Sequence, residues 1–143
     1  MARPLIDNLH PQAIVSRRLD FLDPLPEEMH ISDLNPHVKA YFQHGSPVVV
    51  GREAKQYKGN WEACFGRKAP LCLEIGSGNG FFLEGMAQKN PEKNWLGVEI
   101  RYKRVIMVAK KLDEGDVQNA RILRYDNWCL DDLFEEGSVS TVY

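Results

Sequence analysis

From Pro70 onward the chain alternates short apolar runs with amphipathic ones. Leu71-Cys72-Leu73-Glu74-Ile75 reads as a buried strand, and residues 94–99 and 120–125 repeat the pattern. Between them, residues 79–89 predict a helix that stops at Asn90-Pro91. Residues 101–114 predict a second helix, in which Val105, Val108, Ala109 and Leu112 form an i, i+3, i+4, i+7 stripe. Its other face carries Lys103, Arg104, Lys110 and Lys111, and Gly115 follows where a C-cap glycine is preferred. A short helix near 129–135 and a strand starting at Val139 complete the pattern. Alternating strands and helices predict an α/β fold with a parallel sheet, right-handed crossovers and helices on both faces.

The first part of the chain differs. Six of the eight prolines lie within the first 47 residues. Residues 1–57 are expected to form an irregular extension with short helices, and residues 58–143 a Rossmann-like domain. Gln12–Leu22 is the best helix candidate, with Pro11 in its first turn and Asp23-Pro24 at its end. Asn35–Gln43 is a second, ahead of Gly45.

Gly76-Ser77-Gly78-Asn79-Gly80 sits where the first strand turns into a helix. Glycines there permit positive φ and let backbone approach a ligand closely. The dinucleotide fingerprint G-x-G-x-x-G fails, because its third glycine falls on Phe81 or on Leu83. Glu74, two residues before Gly76, would set negative charge beside a pyrophosphate. It suits a nucleoside with cationic groups instead, and S-adenosylmethionine (SAM) has a sulfonium, an ammonium and no phosphate. Glu99 ends the second strand 21 residues after Gly78, where a carboxylate can accept from both ribose hydroxyls. Asp126-Asn127 ends the third strand. Those side chains suit reading the adenine amino group and ring nitrogens, and equally an Asx turn or N-cap. In a parallel sheet, ligands lie beyond the carboxyl ends of the strands, where Glu74, Glu99 and Asp126 all stand.

These residues carry a family resemblance. Lys58-Gly59-Asn60-Trp61, Phe65-Gly66, Leu73-Glu74-Ile75-Gly76-x-Gly78-x-Gly80, Asn90-Pro91, Gly97-Val98-Glu99-Ile100 and Val142-Tyr143 resemble the bacterial-type tRNA (guanine-N7-)-methyltransferases. The resemblance covers about residues 58–143 and implies a class I methyltransferase fold. It implies SAM as cofactor, tRNA as partner, and SAM-binding roles for Glu74, Glu99 and Asp126. Gly76, Gly78, Gly80 and Asn127 complete the expected cofactor set. The family continues after its fourth strand with a Pro-Asp-Pro-Trp segment and a basic run, which supply a further aspartate and tRNA contacts. This chain stops at Tyr143, so it is expected to be the front part of a longer protein, with no catalytic residue assigned within 1–143.

Composition narrows the picture. No apolar run approaches the length of a membrane span, and Met1–Leu9 lacks a signal peptide's apolar core. The three cysteines lack C-x-x-C spacing, as expected of thiols in a cytoplasmic protein. His10, His30, His37 and His44 stand without further ligands at metal spacing, so no metal is expected. The net charge of −2 divides into −2 over residues 1–50, +6 over 51–111 and −6 over 112–143. The basic middle offers positive surface for RNA phosphates; solvated helix charge explains it equally well. Other readings of the same loop are a methyltransferase for a small molecule or protein, a non-catalytic SAM-binding module, and an NAD-dependent oxidoreductase, the last disfavoured by Phe81.

Overall fold

The computed structural model describes residues 35–143. The strands are β1 (Val48–Val49), β2 (Leu71–Ile75), β3 (Asn94–Glu99), β4 (Ala120–Arg124) and β5 (Thr141–Val142). They form one parallel sheet in the order β1-β4-β3-β2-β5. The helices are α1 (Pro36–His44), α2 (Gly51–Ala54), α3 (Trp61–Phe65), α4 (Phe81–Lys89) and α5 (Tyr102–Glu114). The candidate helix Gln12–Leu22 lies outside the described residues.

Adjacent strand residues part to opposite faces. Val48, Cys72, Trp95 and Ile122 join Tyr41, Leu83, Val105, Val108 and Leu112 in one core. Val49, Leu73, Leu96 and Leu123 join Ala54, Trp61, Phe65 and Leu133 in another. Both faces are covered, which is why the strand runs are apolar without polar alternation. The predicted stripe of α5 is buried, whereas Lys103 and Lys110 are exposed on its other side.

Several local features differ from expectation. β1, within residues 1–57, pairs with β4 in the sheet. A two-residue strand is too short to show a periodicity. Ahead of it, Asn35 caps α1 by accepting from the His37 N–H at 2.9 Å, and Tyr41 Oη accepts from the Gly51 N–H at 2.8 Å. The short helix expected near 129–135 is a 3₁₀ turn at Asn127–Asp132, started by Asp126 as N-cap. Gly115 keeps a right-handed φ of −83°, and the left-handed position after α5 falls to Asp116, at φ 51°.

The carboxyl ends of β2, β3 and β4 therefore stand side by side, since those strands are neighbours. Glu74 is opposite Gly97, and Glu99 is opposite Arg124.

Candidate functional site

The glycine loop is pinned to the end of β3. The Gly76 and Ser77 N–H groups both donate to the Val98 carbonyl, at 2.8 and 3.0 Å. The Gly80 N–H then donates to the Ser77 carbonyl at 2.9 Å, leading into α4. Gly76, Gly78 and Gly80 all have positive φ, a requirement that L side chains meet only with strain. Gly97 seats the loop from below. A Cβ there would collide with Ser77 Oγ and come within 2.8 Å of Leu83 Cδ2. Glycine inside a strand is the sign of such close approach.

Glu99 is 7% exposed and accepts from three backbone N–H groups. Its Oε2 accepts from the Gly78 N–H at 3.0 Å. Its Oε1 accepts from the Ile100 and Arg101 N–H groups, at 3.0 and 3.2 Å. A carboxylate offers about four acceptor positions. Three are taken here, so a diol cannot receive the two free oxygens expected from the sequence unless an N–H lets go. The bond to Gly78 is the one that closes the glycine loop onto β3.

Glu74 is the opposite case. It is 6% exposed, and its Oε1 has no hydrogen-bond partner. Burial pushes its carboxyl above the ordinary 4.5, with the Ser77 hydroxyl acting in the other direction. Ser77 Oγ is near enough to influence Glu74 yet is itself buried without a hydrogen bond. We read the pair as adjacent but misaligned.

A cleft of about 280 Å³ opens beside the loop. It is lined by Gly76, Val98, Glu99, Ile100, Asp126, Asn127 and Trp128. Of the residues expected from the sequence, it brings Gly76, Glu99, Asp126 and Asn127 together, whereas Glu74, Gly78 and Gly80 are not part of its lining. Asp126 Oδ1 accepts from the Trp128 N–H at 3.0 Å, which fixes the turn that forms one wall.

Sequence reasoning missed Ile100, Trp128 and Arg124. The first two are apolar residues just past strand ends, and their exposure is visible only in the fold. Arg124 is a buried cation at the end of an apolar strand, which is itself a signal. Its Nε donates to the Ile100 carbonyl at 2.8 Å, and its guanidinium lies 3.6 Å from the Tyr102 ring centroid. It braces the segment that presents Glu99 and Ile100. Among the described residues, no cluster of His, Cys, Asp and Glu is arranged to hold a metal. No described helix is long and apolar enough to cross a membrane.

The cleft thus sets the carboxylates of Glu99 and Asp126 beside the apolar side chains of Val98, Ile100 and Trp128. Comparison with known proteins supplies a family. Residues 68–143, more than half of the chain, match the profile of a family described as "Putative methyltransferase". The chain is 41% identical over 99 residues to a tRNA (guanine-N(7)-)-methyltransferase of Halalkalibacterium halodurans, covering 68% of this chain and 44% of that protein. It is 37% identical over 97 residues to the Listeria monocytogenes serotype 4a protein of the same name (68% and 45% covered). It is 32% identical over 108 residues to that of Bacillus subtilis strain 168 (76% and 50% covered). The chain spans about half the length of the curated relatives it matches. With its parallel sheet and glycine loop, this chain belongs to that methyltransferase family.

Proposed function

We propose that the protein of which this chain forms at least a part uses SAM to methylate N7 of a guanine in tRNA, acting in the cytoplasm. In this reading, residues 58–143 are the cofactor domain. The observation that carries it is the row of acids at the ends of adjacent strands, with Glu99 locked to the glycine loop. The fit to SAM is chemical. Glu74 Oε1 is a buried acceptor without a partner, and the neighbouring cleft has polar edges and apolar walls. A cationic ligand would give that oxygen the partner it lacks.

The roles follow from position. Glu99 receives the ribose hydroxyls, yielding the Gly78 N–H as it does so. Asp126 and Asn127 face the purine edge. Gly76, Gly78 and Gly80 let the backbone approach the ligand, and Glu74 provides negative charge for its cationic end. SAM supplies an electrophilic methyl group. N7 of guanine carries a lone pair and no proton, so its attack needs no general base. The protein's task is orientation, worth up to roughly 7–11 kcal/mol in favourable cases. N7 lies on the major-groove edge, so choosing one guanine in a folded RNA rests on shape and phosphate contacts. The exposed Lys103 and Lys110 of α5 are candidates for such contacts.

Two measurements test the reading. Calorimetry of the full chain with SAM and with S-adenosylhomocysteine should show binding. Mapping of 7-methylguanine in tRNA after deletion of the gene should show its loss at one position. Binding with unaltered tRNA methylation would favour another methyl acceptor, and absence of binding would defeat the cofactor assignment.

A further inference from the structure

Phe81 opens α4 directly after the glycine loop, and its side chain is 72% exposed. A single exposed apolar side chain is ordinary, but Phe81 does not stand alone. The Lys111 ammonium of α5 lies 3.9 Å from its ring centroid. Val108, one turn before Lys111, lies so close to Gly80 that a Cβ there would come within 3.0 Å of Val108 Cγ2. α5 therefore runs against the glycine loop, with Phe81 at the junction.

Arg104, Met107 and Lys111 stand at i, i+3 and i+7, so they share one side of α5 beside its buried stripe. Met107 is 42% exposed, and Arg104 and Lys111 are half-buried. Neither cation forms an ion pair among the described residues. None of these four side chains lines the nucleoside cleft. The surface thus sets unpaired positive charge beside an exposed aromatic ring. Lysine is depleted at the centre of protein interfaces, so a ring capped by an ammonium suits a protein partner poorly. Single-stranded RNA has the complementary parts, with phosphates for the cations and base faces for the ring.

We propose that Phe81, Arg104, Met107 and Lys111 form a track for an unpaired stretch of the RNA substrate. One base stacks on the Phe81 ring, and the phosphates beside it meet Lys111 and Arg104. The inference rests on the tRNA reading above. It adds where the strand runs, along α5 and past the glycine loop, and it requires nucleotides near the accepting guanine to be unpaired during transfer.

Fluorescence anisotropy of the full chain with labelled RNA oligonucleotides of about 12 nucleotides tests the track. The parent should bind oligoadenylate more tightly than oligouridylate, because purines stack better. Phe81→Ala should weaken oligoadenylate about ten-fold and abolish that preference. Phe81→Leu keeps apolar bulk without the ring, and should lose the preference too. Arg104→Met should weaken both oligonucleotides alike and flatten the plot of log affinity against log salt by about 0.7, the share of one phosphate contact on a single strand. A parent that binds neither oligonucleotide would overturn the proposal. So would unchanged oligoadenylate affinity in both Phe81 variants, or a loss that leaves the adenine preference intact. Self-association of the parent that disappears in Phe81→Ala, with RNA affinity unaltered, would assign the patch to a protein contact instead. The two readings fail separately. Loss of 7-methylguanine on gene deletion, with variants that bind RNA as the parent does, would remove the track and keep the tRNA reading.

Discussion

Glu74 and Glu99 are both glutamates near the carboxyl ends of neighbouring strands, and their surroundings are opposite. Glu99 accepts three backbone N–H groups and ties together the glycine loop, the end of β3 and the start of α5. Glu74 is as deeply buried, with one oxygen unpartnered and its carboxyl pushed up by desolvation. The first is structure already made. The second is a cost left standing, of the kind that buried polar groups impose when unmatched. Glu99 thus shapes the loop before any ligand arrives, and in the proposed reading Glu74 is completed by one.

The largest expected effect comes from breaking the satisfied member. Glu99→Ala removes the acceptor for the Gly78, Ile100 and Arg101 N–H groups at once. S-adenosylhomocysteine affinity, measured by calorimetry, should fall about 30-fold or more, since one hydrogen bond to a charged group contributes roughly 1.5–3 kcal/mol. The melting temperature should fall as well. Glu99→Gln does not repair this, because its amide nitrogen meets at least one N–H donor head-on. An affinity unchanged in both variants would remove Glu99 from the site.

Next is the floor beneath the loop. Gly97→Ala places a methyl group against Ser77 Oγ and Leu83 Cδ2, so the loop or α4 must shift. Overpacking of this kind costs about 1–3 kcal/mol. Urea unfolding should show that loss, with weaker cofactor binding, because the displaced loop carries the Gly78 N–H that meets Glu99. A stable Gly97→Ala chain with full affinity would show that the loop seat is adaptable.

The sequence makes the frame legible and leaves the contrast hidden. β2, β3 and α5 announce themselves because their apolar runs and 3.6-residue stripe are long enough to show a period. β2 and β3 have the predicted bounds, and α5 begins one residue later than predicted. β5, Thr141–Val142, begins two residues after the Val139 start expected for it, and β1, two residues long, shows no period. The strand-end acids are also readable, since topology alone sends them to one edge. Their partners are not. Glu74 and Glu99 look alike in the chain, and only the fold brings the Gly78 N–H from the glycine bend and the Ile100 and Arg101 N–H groups from the turn after β3 onto Glu99, while Glu74 Oε1 is left without a partner. Arg124 and Trp128 are hidden for the same reason, because burial and exposure at a strand end depend on what the neighbouring segments cover.

The smallest and most diagnostic effect belongs to Glu74→Gln. At acid pH the Glu74 carboxyl is protonated in both folded and unfolded chains, and its burial adds no charge penalty. As pH rises past the ordinary 4.5, the unfolded chain ionises first, because desolvation holds the folded carboxyl higher. Stability is therefore lost as pH climbs through the folded value. Glu74→Gln does not titrate, so it should melt above the parent at pH 8, with the gap closing as the pH falls below the ordinary 4.5. SAM binding should move the other way. Positive charge beside Glu74 favours the ionised form, so parent affinity should tighten as pH rises through that same value, and the Gln variant should lose this dependence. A variant weaker for SAM but unchanged for S-adenosylhomocysteine would place Glu74 near the sulfonium, because both ligands share the ammonium. Equal weakening would place it near the ammonium. Unchanged melting and binding across the whole pH range would show that Glu74 is an incidental buried acid, leaving Glu99 as the site's principal carboxylate.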